Sequence, residues 1–420
     1  MITLVEALNY RSLRYVARPL SPFHVLVGPN ASGKTTFLDV IGFLGDVVSN
    51  GLENALADRA PDPRDLLFRR QGTRLELAVE AAVPDQLRQL ALNPSLDTVR
   101  YQVTIGFDDT DRQFEFKAET LVLRKKAEVS KPPQRELFPE LPPSLPVSLQ
   151  VGIRQRDNKV LINKVFGGND NFYNETKRSD RSWAPSFRLG PMRSALGNLP
   201  ADEASFPIAT WFRQYLGSGI QRFMLNSREI RQPSPPTRVA GFLPDGSNLS
   251  WVVARLREND PDRHQAWIRH LRTALPDLID IKTIERPEDR HCYMTYEYAG
   301  GLSVPSWLVS DGTLRLTALT LPAYLADLRG VYLIEEPENG IHPGAVAAVY
   351  DSLRSVYAAQ VLLATHSPVV LSVASTADVL CFAKDENGAT DIVLGSEHPR
   401  LRGWQEDADL GTLLASGVLG

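Results

Sequence analysis

Cysteine is nearly missing: Cys292 and Cys381 are the only two in 420 residues. They stand far apart, in neither a paired nor a metal-ligand spacing. That excludes a disulfide framework or a zinc ribbon and leaves two thiols that read as core residues. Long apolar runs are missing too, and no window approaches the ~20 residues of a membrane span. Met1-Ile2-Thr3-Leu4 lacks a basic region followed by an apolar stretch. The expectation is a cytoplasmic protein with no membrane partner. Basic charge is not in excess: a net charge of −4 and a pI of about 6.0 give no global field for nucleic acid. A local basic face is compatible with that sum. Heptads, internal repeats and low-complexity tracts are also lacking. What is present, 43% hydrophobic and 23% charged residues, is an ordinary globular composition. The length allows two or three domain-sized units.

The most informative stretch is Gly28-Pro29-Asn30-Ala31-Ser32-Gly33-Lys34-Thr35-Thr36. It follows the apolar run Phe23 to Val27 and leads into the helical pattern Phe37 to Leu44. Strand, glycine-bearing loop and helix come in the order a phosphate-binding loop requires. Gly28 and Gly33 let the backbone curl so that successive N–H groups point inward at phosphate oxygens. The following helix adds the positive end of its dipole. Lys34 can reach the β- and γ-phosphates, and the Thr35 hydroxyl can ligate Mg²⁺. Asn30, Ala31, Ser32 and Thr36 complete the cradle, so the motif implies a nucleoside triphosphate such as ATP.

Elsewhere the pattern is mixed. Ile2 to Leu8 and Val16 to Leu20 read as strands that, with Phe23 to Val27, make a β-layer for the helix after the loop. Leu75 to Ala81, Arg100 to Phe107 and Phe114 to Val122 alternate as an antiparallel meander. Lys125 to Pro146 is proline-rich and begins with Arg124, Lys125, Lys126, Lys131 and Arg135. It reads as an extended linker, with a DNA- or partner-facing loop as the alternative. Phe206 to Arg222 has helical spacing, Arg228 to Arg238 reads as a hinge, and Leu249 to Glu258 and Asp262 to Leu275 read as two helices. Ile279 to Arg286 and Cys292 to Glu297 return the chain to sheet.

Asn9-Tyr10-Arg11-Ser12, just ahead of the GPNxSGKT loop, resembles the amino end of ABC-type ATPases of the RecF and chromosome-maintenance kind. Four further motifs follow in that family's order. Val309-Ser310-Asp311-Gly312-Thr313 resembles the signature loop. Gly330 to Pro337 is similar to a Walker B strand ending in Glu335 and Glu336. Glu338-Asn339-Gly340-Ile341-His342-Pro343 stands in the place of the D-loop, and Thr365-His366-Ser367-Pro368 matches the switch histidine. The usual first Walker B residue is Asp, so Glu335 departs from the pattern. The Ile-Glu-Glu-Pro-Glu form looks like the branch that contains the overcoming-lysogenization-defect nucleases and ATPase subunits of anti-phage defence.

The resemblance implies a fold: an α/β P-loop ABC-type ATPase head of two lobes, a mixed sheet with flanking helices plus an antiparallel β-subdomain. Lys34 and Glu335 stand about 300 residues apart, so the head carries a large α/β insertion, not a coiled coil. The expected units are an N-terminal lobe over 1–125, an accessory region over 126–300 and a C-terminal lobe over 301–420. In this family Arg11 would lie near the phosphates, and Thr35 and Glu335 would hold Mg²⁺. Glu336 would polarise the attacking water, and His366 would sense the γ-phosphate. Ser310 and Gly312 would complete the ATP site of a second copy, implying a homodimer. Gln71, Gln155 and Gln221 all remain open for the glutamine that links ATP to the insertion. The overcoming-lysogenization-defect nucleases carry a Toprim domain after the switch. Here Asp407-Ala408-Asp409 has the DxD spacing, but the remaining ~50 residues are too few for that domain. A nuclease effector would then be a separate chain. Two functions stay open at this point: an ATP-driven switch or motor in anti-phage defence or DNA repair, and a nucleotide-gated scaffold that sequesters and releases a partner.

Overall fold

The computed structural model describes residues 1–108, 113–126, 135–140, 144–150, 158–176, 185–236 and 241–401. Most of the basic stretch after Lys126, Gln155 and the Asp407 and Asp409 pair lie outside the described residues. Two large sheets organise the chain. The first is antiparallel. It is built from β1 (Ile2–Tyr10), β2 (Leu13–Pro19), β4 (Arg74–Ala82), β5 (Thr98–Asp108), β6 (Gln113–Arg124), β7 (Lys159–Val165), β8 (Asp170–Phe172) and β9 (Ser186–Phe187), in the order β2-β1-β4-β5-β6-β7-β8-β9. The expected meander therefore forms and extends well beyond three strands.

The second sheet runs β10-β14-β15-β3-β16-β17. It contains β3 (Phe23–Val27), β10 (Ile220–Phe223), β14 (Val331–Glu335), β15 (Gln360–Ala364), β16 (Val379–Lys384) and β17 (Thr390–Leu394). All its pairings are parallel except β16 with β17. Its central strands read as continuous apolar runs because both faces are covered. Strand β3 belongs here and not with β1 and β2, so the first three strands do not form one layer. The helix expected over Phe206 to Arg222 stops at Gly217, and the chain turns at Ser218 and Gly219 into β10. The Gly219 carbonyl accepts from the Val331 N–H at 2.8 Å, and the Walker B strand thereby captures residues with no helical obligation.

Helix α1 (Lys34–Asn50) lies between the sheets. One core joins it to the antiparallel sheet and to Leu26, Leu333, Leu362 and Leu380 on one face of the parallel sheet. The opposite face, with Val25, Val27, Ile334 and Leu363, packs against the helices Leu249–Asn259, Pro261–Ala274, Asp311–Thr320 and Pro343–Arg354. A small sheet of β11 (Leu278–Glu285), β12 (Cys292–Tyr298) and β13 (Leu302–Pro305) closes that side. Gln360 ties the layers together. Its Oε1 accepts from the Ile2 N–H at 2.9 Å and its Nε2 donates to the Ile2 carbonyl at 2.9 Å. Cys292 and Cys381 are buried and unpaired. Among the described residues no helix is long and apolar enough to cross a membrane.

Candidate functional site

Three parallel strands end level. Glu335 on β14 is opposite Ala364 on β15, which is opposite Leu26 on β3. Beyond those carboxyl ends come Glu336, His366 and the glycine loop, the crevice where open α/β sheets bind ligands. Arg11, Ser12, Asn30 to Thr36, Glu335, Glu336, His366 and Lys384 line a cavity of 470 Å³ there.

The loop is built for an anion. Gly28 (φ +150°), Ala31 (φ +61°) and Gly33 (φ +107°) alternate the hand of the backbone, which turns N–H groups inward. A Cβ on Gly28 would stand 2.2 Å from the Phe382 carbonyl, so only glycine fits. No side chain caps the first N–H groups of α1, which leaves them to an anion. Among the described residues the buried Ser32 hydroxyl has no partner. Lys34 Nζ donates to the Gly28 and Pro29 carbonyls at 2.8 and 3.0 Å. Burial lowers its pKa to about 8 against the opposing charges of Glu336 and Glu335.

Thr35 Oγ1 donates to Glu335 Oε2 at 2.5 Å, joining residues 300 positions apart. Glu336 holds a left-handed backbone (φ +46°) with its N–H on the Ala364 carbonyl at 2.7 Å. Such conformations in a non-glycine residue gather at functional sites. Asn339 Nδ2 donates to Glu336 Oε2. Thr365 donates to Glu338 at 2.5 Å and accepts from the Ser367 N–H at 2.9 Å, which shapes the turn carrying His366. The His366 pKa is lowered by burial first and then by Lys34, against the pull of Glu336 and Glu338.

Ser310 and Gly312 do not line this cavity. Ser310 caps the helix Asp311–Thr320, accepting from the Thr313 N–H at 3.3 Å. Gly312 packs so closely that a Cβ would stand 2.6 Å from the Gly340 carbonyl, fixing signature helix and D-loop together. Of the glutamines, Gln71 and Gln221 line no part of the cavity. Sequence reasoning missed Thr390 on β17, whose hydroxyl donates to the Ser32 carbonyl at 2.8 Å and braces the loop. It also missed Ser12 and Lys384. Ser12 stands inside the Asn9-Tyr10-Arg11-Ser12 motif, while no sequence signal marks Thr390 or Lys384, which become local only through the fold.

The sequence profile of the family described as "AAA domain, putative AbiEii toxin, Type IV TA system" matches residues 23–372. The chain belongs to this AAA family. Among solved structures, an Smc head bound to the C-winged helix domain of ScpA aligns with a TM-score of 0.52 and 16% identity, over 93% of this chain and 96% of that one. An Smc head with an extended coiled coil, bound to the C-terminal domain of ScpA and derived from Pyrococcus furiosus, aligns with a TM-score of 0.51 and 14% identity, over 93% and 95%. At such identities the likeness is one of fold: an Smc-head P-loop ATPase fold. No curated protein matches the chain. Family and fold together make the chain an AAA-type ATPase with an Smc-head-like P-loop fold.

The residues fit the nucleotide of such ATPases. The unpartnered Ser32 hydroxyl, the uncapped start of α1 and Lys34 suit phosphate oxygens. Thr35 and Glu335 present hard oxygen donors together, as Mg²⁺ prefers. Among the described residues no cluster of three His, Cys, Asp or Glu could hold a metal alone. A cation here would share its coordination with phosphate.

Proposed function

We propose that this AAA-type ATPase hydrolyses ATP as a dimerising switch. The observation that carries the reading is the 2.5 Å bond between Thr35 and Glu335, with Glu336 and His366 on the same cavity wall. Bound ATP and Mg²⁺ would supply the transferable phosphoryl group and the neutralisation of its charge. Lys34 would exchange its two loop carbonyls for phosphate oxygens. Glu336 would accept a hydrogen bond from water and aim it in line with the terminal phosphate. Neutral His366 would donate to a γ-oxygen and register its loss. Ser310 and Gly312 of a second copy would close the site from the other side. Opening after hydrolysis would give two states of different affinity for a partner.

The setting we infer is anti-phage defence or DNA repair, with a separate effector such as a Toprim-type nuclease, and DNA as a possible ligand of the assembly. The Smc heads of similar fold were crystallised with ScpA domains, a precedent for a partner protein docked on such a head.

The decisive experiment compares wild type with Glu336→Gln for ATP binding and phosphate release. The variant should bind ATP as wild type does and turn it over at least about a hundred-fold more slowly, the usual share of a general base. Equal turnover would remove Glu336 from the chemistry. Tight binding with no turnover by wild type would favour the nucleotide-gated scaffold.

A further inference from the structure

Helix α1 carries a carboxylate to which the mechanism above gives no task. Asp39 lies little more than a turn beyond Lys34 and Thr35 and is 5% exposed. Four side chains from three other segments converge on it. Tyr10, at the end of β1, donates its hydroxyl to Oδ2 at 2.5 Å. Arg59 brings Nε to both oxygens at 3.0 and 3.1 Å and Nη2 to Oδ1 at 2.9 Å. Arg222 on β10 donates to Oδ1 at 2.5 Å. Its path is opened by Gly42, where a Cβ would stand 2.0 Å from the same nitrogen. Arg11 is the fourth and the most loosely held. Its Nη1 is 3.5 Å from Oδ2, while Nη2 donates to the Arg59 carbonyl at 3.1 Å.

Arg11 is also the one member of this cluster that lines the nucleotide cavity. With Asp39, Arg59 and Arg222 it lines the adjoining cavity of 620 Å³ as well, so Arg11 is shared between the two. Its backbone is fixed at φ +50° with the N–H on the Leu66 carbonyl at 2.8 Å, which leaves the side chain as the adjustable part. A guanidinium has five donors in a rigid fork. It can therefore keep Asp39 and the Arg59 carbonyl while presenting its outer edge to an anion. Stability alone does not call for such a cluster, since well-packed apolar side chains often replace buried ion pairs without loss of stability.

We propose that Asp39 is a positioning residue: its carboxylate, clamped by Tyr10, Arg59 and Arg222, fixes the Arg11 guanidinium on the cavity wall, where it meets the phosphates of ATP. This rests on the nucleotide reading given above. Asp39 itself touches no nucleotide and acts through Arg11.

The test is the affinity of the full chain for ATP with Mg²⁺, measured for wild type, Arg11→Ala, Asp39→Asn and the double variant, with thermal midpoints alongside. Arg11→Ala and Asp39→Asn should each weaken binding about ten-fold, the loss of one charge-assisted contact. The double variant should bind no worse than Arg11→Ala alone, because the two losses are one loss. Tyr10→Phe removes a single clamp and leaves the ion pairs. It should weaken binding a few-fold in the wild-type background and have no effect in the Arg11→Ala background. A folded Asp39→Asn that binds ATP as wild type does, or losses that add in the double variant, would overturn the proposal. If Asp39→Asn does not fold, Tyr10→Phe decides on the same criterion. If wild type binds no more ATP than Lys34→Ala, the nucleotide reading itself fails and this proposal goes with it.

Discussion

Lys34 is 6% exposed, and burial has lowered its pKa to about 8, from the 10.5 of a free lysine. The His366 pKa is lowered too, by burial first and by Lys34 second, so the imidazole is neutral near pH 7. The group that titrates just above neutrality is therefore the lysine. Phosphate oxygens favour the ammonium form, so nucleotide binding raises the lysine pKa again. At about pH 7 the amine is already protonated and binding takes up almost no proton through it. At about pH 9 most of the free protein has lost that proton, and binding must recover it. ATP affinity should consequently fall above pH 8, by up to about ten-fold per pH unit. Calorimetry in two buffers of different ionisation enthalpy should show uptake approaching one proton at pH 9. Uptake absent at pH 9 would mean that Lys34 stays charged in the free protein.

At the scale of elements, helix α1 is a buried spacer between two sheets, and its glycines mark where neighbours press closest. A Cβ on Gly45 would stand 2.6 Å from the Leu216 carbonyl in the helix Pro207–Gly217. Gly45→Ala gains ~1 kcal/mol of helix propensity. It must also push a backbone away inside a filled core, which costs roughly 1–3 kcal/mol. The net expectation is a thermal midpoint a few degrees lower; a midpoint at or above wild type would show that the helices separate freely. The same elements show what was legible in the sequence. The glycine loop and the two strands that end at Glu335 and Ala364 each carry a contiguous motif, so strand, turn and candidate side chain could be read together. Strand β10 was not read: Gly217-Ser218-Gly219 does mark a stop after the helical spacing of Ile208 to Leu216, but the four residues that follow carry no strand pattern of their own. Its pairing partner Val331 lies in a distant segment. Asp39, Thr390 and Gln360 were illegible for the same reason: each is an ordinary polar residue until segments from across the chain meet on it.

The whole molecule presents a site that is open on one side. Thr35, Glu335 and Glu336 are solvent-exposed, and Ser310 and Gly312 lie off the cavity of their own chain. Just before the signature helix, Leu302, Trp307 and Leu308 expose 58%, 42% and 70% of their surface. Apolar exposure beside a polar loop is what a protein partner covers. A second copy facing the first would put its Ser310 hydroxyl and helix N-terminus over the open phosphates, and the nucleotide would become part of the interface. Association should then depend on ATP and outlast it only until hydrolysis. Glu336→Gln, which holds ATP unhydrolysed, should double its solution mass with ATP and Mg²⁺ and remain a monomer without nucleotide. Adding Ser310→Arg, which sets a bulky cation where a small hydroxyl must fit, should keep ATP binding and abolish the doubling. A mass that is the same with and without ATP would place the assembly contacts elsewhere on the chain. ATP would then act inside a standing complex, as the nucleotide-gated scaffold requires.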